Sequence, residues 1–205
     1  MIEPTEAQIR ASRRKLMLLF LMPVVAIGLS TLVYFTGVGI PDGTTNRGTL
    51  LQPPVNVDAI ELIDASGNRW AYPAEAEWTI INLTPADCND ACRETVWVTR
   101  QVRTGFGRDA ERVQRVLLVP GTPLDPDFAT YLEQEHPGLT VLQVAQPAVT
   151  AWLGIASGVD PFAAGHVYLA DPDGFVMMHY EPGQPGADIL KDMRFLLKYS
   201  REKNN

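Results

Sequence analysis

Residues 78–102 read WTIINLTPADCNDACRETVWVTRQV and hold both cysteines of the 205-residue chain, Cys88 and Cys92. Ahead of the cysteines, Trp78, Ile80, Ile81 and Leu83 predict a buried strand. Behind them Ala91, Thr95, Val98, Val102 and Phe106 recur every three or four residues and predict a helix with that face inward. Thr84 to Asp87 supplies the turn, with Asp87 as an acidic N-cap candidate. Free N–H groups and the helix dipole at such a junction favour thiolate over thiol, so the pair suits nucleophilic or soft-metal chemistry. A passive disulfide of an oxidising compartment is the other reading, stabilising by about 2 kcal/mol. Helical residues four apart hold their Cβ atoms roughly 5–6 Å from one another, so a bridge requires Cys88 to sit just outside the helix.

Toward the N-terminus, Arg10, Arg13, Arg14 and Lys15 form a cationic cluster in residues 1–15. No charge follows until residue 42, and the apolar run is long enough to cross a bilayer. It exceeds a signal-peptide core and no A-x-A cleavage pattern follows, so a retained transmembrane helix is expected over 16–36. The cluster places the N-terminus in the cytoplasm and the rest outside. In a bacterium that is a single-pass inner-membrane protein with a periplasmic domain over 57–205. Residues 37–56 carry glycines and prolines without periodicity and read as a tether. Four of the 17 basic and two of the 24 acidic residues precede residue 42, leaving 13 against 22 beyond it. That balance excludes nucleic acid as a partner and suits a cationic one.

Further along, residues 57–62 and 69–72 flank the turn Ala65-Ser66-Gly67-Asn68 as a hairpin. Residues 113–119 form a second buried strand, 126–135 a helix, 139–144 a strand and 147–155 a helix. Asp171-Pro172-Asp173-Gly174 turns a second hairpin, and an amphipathic helix over 187–199 ends the chain. This order predicts an α/β fold, a mixed sheet with helices on both faces. Trp78, Trp97 and Trp152 read as packing, and His136 as a helix-end cation complementing the dipole. Met177 and Met178 read as filling the hairpin's surface and core.

The chain resembles the thioredoxin superfamily, and within it the SCO/SenC family of cytochrome c oxidase assembly proteins. The resemblance spans about residues 59–199. It rests on Cys88-x3-Cys92, on the lead-in Arg108-Asp-Ala-Glu-Arg-Val-Gln-Arg-Val-Leu-Leu-Val, on the helix ending in His136-Pro137, and on Tyr168-Leu-Ala-Asp-Pro-Asp-Gly174. It implies a thioredoxin-like domain behind one transmembrane helix. It further implies copper delivered through Cys88 and Cys92 to the dinuclear centre of the oxidase's copper-bearing subunit, or hand-over to another assembly factor. Asn89 and Arg93 stand where the family has proline, Ala163 where it has its metal-binding histidine, and Gly165 where thioredoxin oxidoreductases carry a cis-proline. With Ala163 there, His166 is the expected third ligand, since two thiolates and an imidazole suit copper in both oxidation states. The D-P-D-G turn places His166 opposite His179 or, with one bulge, opposite Tyr180. Two further readings stay open: a thiol–disulfide reductase with Cys88 attacking and Cys92 resolving, and a non-catalytic binding module.

Overall fold

The computed structural model describes residues 6–36, 46–73, 77–154, 160–162 and 165–200, and Ala163 lies outside them. The chain divides into two units, Met1–Thr45 and Asn46–Asn205. In the first, helix α1 (Glu6–Thr36) contains Pro23, and its segment Ser12–Thr36 is long and apolar enough to cross a membrane.

Among the described residues the second unit contains a mixed eight-stranded sheet and four α-helices. In chain order these are β1 (Thr49–Asn56), β2 (Leu62–Ile63), β3 (Arg69–Trp70), β4 (Trp78–Leu83), α2 (Asp90–Thr104) and β5 (Val113–Pro120). Then come α3 (Pro126–Glu135), β6 (Leu139–Val144), α4 (Gln146–Trp152), β7 (Val167–Ala170), β8 (Phe175–Tyr180) and α5 (Gly186–Tyr199). The strand order is β1-β8-β7-β4-β5-β6-β2-β3. The β4–β5–β6 core is parallel, as βαβ crossovers require, and the flanking pairs are antiparallel. Strand β4 is buried at all six positions because helices cover both faces. On one face Ile81, Leu83, Val116, Leu118 and Tyr168 pack with Val149 of α4. On the other, Ile80, Leu117, Val119 and Val167 meet α2, α3 and α5.

Four expectations need correction. Residues 49–56, read as part of the tether, form strand β1 on the sheet edge, where Pro53 and Pro54 are tolerated because the ladder to β8 is interrupted between Leu50 and Val55 and the outer side is an edge. Its start is held by the buried carboxylate of Asp192, whose Oδ2 accepts from the N–H groups of Arg47 (2.8 Å) and Gly48 (2.9 Å) and from the Tyr180 hydroxyl (3.1 Å). Residues 57–59, read as the start of a strand, form a 3-10 turn capped by Asn56. Trp97, read as packing, is 45% exposed. The face α2 buries is Cys92, Val96, Thr99 and Val102, one position round from the expected one. The physical reason is polar. Thr99 points inward, donating its hydroxyl to Asn82 Oδ1 of β4 (3.0 Å), while the buried Arg115 of β5 donates to Thr99 Oγ1 (3.0 Å) and Val96 O (2.7 Å).

Candidate functional site

Strand β4 ends at Leu83 and the chain turns through Thr84, whose N–H donates to Leu118 O (3.1 Å), so the loop leaves over the C-terminal end of the parallel core. Asn89, not Asp87, caps α2: its side-chain oxygen accepts from Cys92 N–H at 3.0 Å. The cap fixes the helix start at Asp90, leaving Cys88 outside and Cys92 in the first turn. That offset brings the two Cα atoms to 5.4 Å, and the sulfurs are bonded as a disulfide. Arg93 fastens the loop from behind, its Nε–H donating to Cys88 O (3.1 Å). Its guanidinium lies 5.7 Å and 5.1 Å from the ring centroids of Phe128 and Tyr131. Ala86 O accepts from Asp125 N–H (3.0 Å), tying the same loop to the N-cap of α3.

Both cysteines are buried, Cys88 at 3% and Cys92 at 7% exposure, among Val96, Leu117, Val119 and Phe128. Cys92 also lines a groove of about 380 Å³ between the start of α2 and the loop from β8 to α5, with Asn89, Thr95, Gly165, Glu181 and Gln184. Gly165 has φ +65°, a conformation that disfavours side chains, and a Cβ there would lie 3.5 Å from Thr95 Oγ1. The groove therefore runs past Cys92 against bare backbone.

His166 stands elsewhere. Side chains alternate along β7: Val167 lines the groove of Cys92, and Tyr168 packs in the opposite cluster, so His166 shares the face of Tyr168. The hairpin register differs from both expected forms. Asp171-Pro-Asp-Gly174 turns as expected, with Gly174 at φ +81°, but a second irregularity between Leu169 and Ala170 pairs Tyr168 with His179 and Val167 with Tyr180. Continued by one residue, that register sets Glu181 across from His166. His166 Nδ1 is 3.7 Å from Glu181 Oε2, and His179 Nε2 is 3.3 Å from Oε1. Burial holds the His166 imidazole below its ordinary value, with Glu181 acting against the shift. The structure thus brings Cys88 and Cys92 together and groups His166 with His179 and Glu181. Among the described residues no three His, Cys, Asp or Glu side chains form a group able to hold a metal ion.

The roles of Asn89 as cap, of Arg93 and Arg115 as donors and of Glu181 beside the histidines escaped the sequence reading. Two left signals. Asn89 is an N-cap residue type directly before the helix, and Arg115 is a charge inside an apolar strand pattern.

The chain belongs to the family described as transmembrane-like, thioredoxin-like, C-terminal domain, which residues 78–200 match. No curated protein matches it. Among solved structures it is similar to yeast Sco1 with copper bound, at 15% identity and a TM-score of 0.56, over 79% of this chain and 99% of that one. It is similar to apo Sco1 from Thermus thermophilus at 16% identity and a TM-score of 0.55, over 76% and 99%. A third is BsSco, a member of the Sco family of cytochrome c oxidase assembly proteins in which a disulfide switch was identified, at 12% identity and a TM-score of 0.54, over 72% and 96%. These likenesses establish a shared thioredoxin-like fold.

Proposed function

We propose that this chain is a membrane-anchored, SCO-like assembly factor that works through Cys88 and Cys92: the dithiol passes two electrons and two protons to a disulfide of an oxidase copper subunit, and an upstream dithiol donor returns the resulting Cys88–Cys92 disulfide to the dithiol. The observation that carries the reading is the place of the bridge: it joins a loop to the first turn of α2, and Cys92 lines a groove walled by bare backbone at Gly165. Exchange needs one thiolate and one disulfide in line, and the helix start favours the thiolate. Because Cys92 lines the groove, the proposal gives it the attacking role and Cys88 the resolving one, where the sequence suggested the opposite order. The anchor α1 holds the domain at a bacterial inner membrane on its periplasmic side.

A second reading, copper delivery, is favoured by the donor chemistry. Once the bridge opens, two thiolates suit Cu(I) as cargo. His166 faces Glu181, so Cu(I) held by sulfur alone fits the donor set better than a three-ligand site. His166 as a third ligand would have to leave that carboxylate. The test is copper stoichiometry of the full chain, reduced without oxygen and titrated with Cu(I) against a chelator. One copper per chain, lost in Cys88→Ser and kept in His166→Ala, supports delivery through sulfur. No copper, together with rapid reduction of a disulfide-bonded substrate peptide, leaves the reductase. Neither copper nor exchange removes both.

A further inference from the structure

Of the 13 basic residues from residue 42 onward, five fall in the last fifteen positions, 191–205, against two of the 22 acidic ones. One of those two, Asp192, is buried and already accepts from Arg47, Gly48 and Tyr180. Helix α5 therefore carries a local positive charge on an acidic unit. Its outward stripe is Lys191, Arg194, Phe195, Lys198 and Tyr199, spaced three and four apart and all exposed. Among the described residues none of these three cations forms an ion pair. Phe195 and Tyr199 are 61% and 65% exposed with ring centroids 4.7 Å apart, and Lys198 Nζ lies 5.4 Å from the Tyr199 ring. A lone exposed aromatic needs no explanation. Two in contact, set among cations on one stripe, have the composition of a surface that meets lipid headgroups.

The stripe also borders a cavity of about 230 Å³ against the 3-10 turn Gly107–Arg112, lined by Phe106, Asp109, Arg112, Arg194, Leu197 and Lys198. Three cations there outnumber one carboxylate, and Asp109 is itself engaged by Arg112 at 3.7 Å. Arg112 is held by Ser200, donating to its Oγ (3.0 Å), and Arg194 donates to Gly105 O (3.0 Å). The result is a fixed cationic seat beside the apolar Phe106 and Leu197, chemistry that suits a phosphate group attached to something greasy. The path of the chain says which phosphate. It enters the second unit through Arg47 and Gly48, whose N–H groups are held by Asp192 in the middle of α5. Asn46 stands ten residues beyond Thr36, the end of the apolar helix, a stretch that reaches at most about 36 Å. An acidic protein would have to be brought to α5, whereas a bilayer crossed by α1 is tied to it. We infer that the outer face of α5 docks on the anionic phospholipids of the bilayer that α1 crosses, with a headgroup phosphate in the cavity of Arg112, Arg194 and Lys198 and with Phe195 and Tyr199 at headgroup level. The inference rests on the membrane anchor proposed above and is independent of the sulfur chemistry.

The phenylalanines are placed to test this by NMR. Phe20 lies in the apolar helix, Phe195 on the stripe, Phe106 in the cavity and Phe162 in the core cluster of the other sheet face. The full chain, labelled with nitrogen-15 phenylalanine, is held in nanodiscs of phosphatidylcholine alone or with phosphatidylglycerol, each with a trace of headgroup-nitroxide lipid that broadens nearby amides. Phe195 and Phe106 are expected to broaden with phosphatidylglycerol and far less without it, while Phe162 stays sharp in both. Lys191→Gln with Lys198→Gln is expected to weaken docking about twentyfold, each basic side chain near an anionic surface counting for a factor of about five. Lys191→Arg with Lys198→Arg should restore it. Equal broadening in the two lipids, or broadening kept by the glutamine variant, would overturn recognition by charge. Shifts of Phe106 and Phe195 by inorganic phosphate, or by an oligoglutamate peptide, without broadening in anionic discs would assign the face to a soluble anion or to an acidic protein and overturn the lipid. Phe20 unbroadened in every disc would overturn the anchor and the docking together. Phe20 broadened with Phe195 unchanged would overturn the docking alone.

Discussion

The two faces of the sheet end side by side at the C-terminal edge of β4 and hold different chemistry by different means. On the α2 and α3 face the sulfurs are fixed by bonds local in sequence: Asn89 caps the helix three residues before Cys92, and Arg93 returns to Cys88 five residues back. On the α4 face the imidazoles of His166 and His179 are placed by a hairpin whose strands meet through the register of β7 and β8, with Glu181 between them. The thiol site is thus built into one continuous segment, whereas the histidine cluster depends on the irregularity between Leu169 and Ala170 in a ladder.

The thiol side is most vulnerable at Arg115, which among the described residues holds α2 to β5 without a carboxylate partner. Arg115→Ala removes the donor to Thr99 Oγ1 and one of the donors to Val96 O and opens a cavity, and is expected to cost about 3 kcal/mol in urea unfolding. Arg115→Met, which fills the space without a charge, is expected to cost about 1 kcal/mol or less. Equal losses for both would mean that the charge itself, rather than packing, holds the helix.

Much of the thiol side was legible before the structure because its determinants are contiguous. The apolar run 78–83, the turn at Thr84 and Pro85 and the C-x3-C spacing predict the strand, the loop and Cys88 outside the helix. The helix face was read one step off, because periodicity counts apolar residues and could not foresee Thr99 turned inward to Asn82 and Arg115. The D-P-D-G turn was legible for the same local reason. The irregularity beside Met177 was not: nothing in Phe175-Val-Met-Met-His179 marks it, and it moves the neighbour of His166 to Glu181. Strand β1 was hidden by Pro53 and Pro54, which read as tether and are equally at home on a sheet edge.

The next effect separates the histidines themselves. Unfolded, His136 takes up a proton near 6.5; folded, it resists until about 4, because burial first and then Arg115 and Arg100 oppose the charge, which overturns the expected helix-end cation. Above pH 6.5 both states are neutral and stability is flat. As pH falls from 6.5 to about 4 the unfolded state gains a proton that the native state refuses, so stability drops by at most about 3 kcal/mol across that window. The check is urea midpoints between pH 7.5 and 4, with the slope flattened in His136→Gln. A flat wild-type profile would mean the ring protonates freely.

The smallest effect concerns Glu181, where the groove of Cys92 meets the histidines of the other face. Glu181 is exposed, and Glu181→Gln is expected to change stability by less than about 1 kcal/mol. It should also release His166, and because Glu181 lines the groove of Cys92 as well, thiol exchange by Cys92 is expected to shift only slightly. A marked change in exchange rate would join the two faces and undo the comparison.

The central claim is that the Cys88–Cys92 bridge is a working disulfide rather than a structural staple. Its midpoint potential, measured on the full chain by equilibration with glutathione and dithiothreitol buffers, tests this most directly. A value above about −300 mV, within reach of cellular thiol systems, is the expected result. A value well below about −300 mV would make the bond an inert brace and contradict the account.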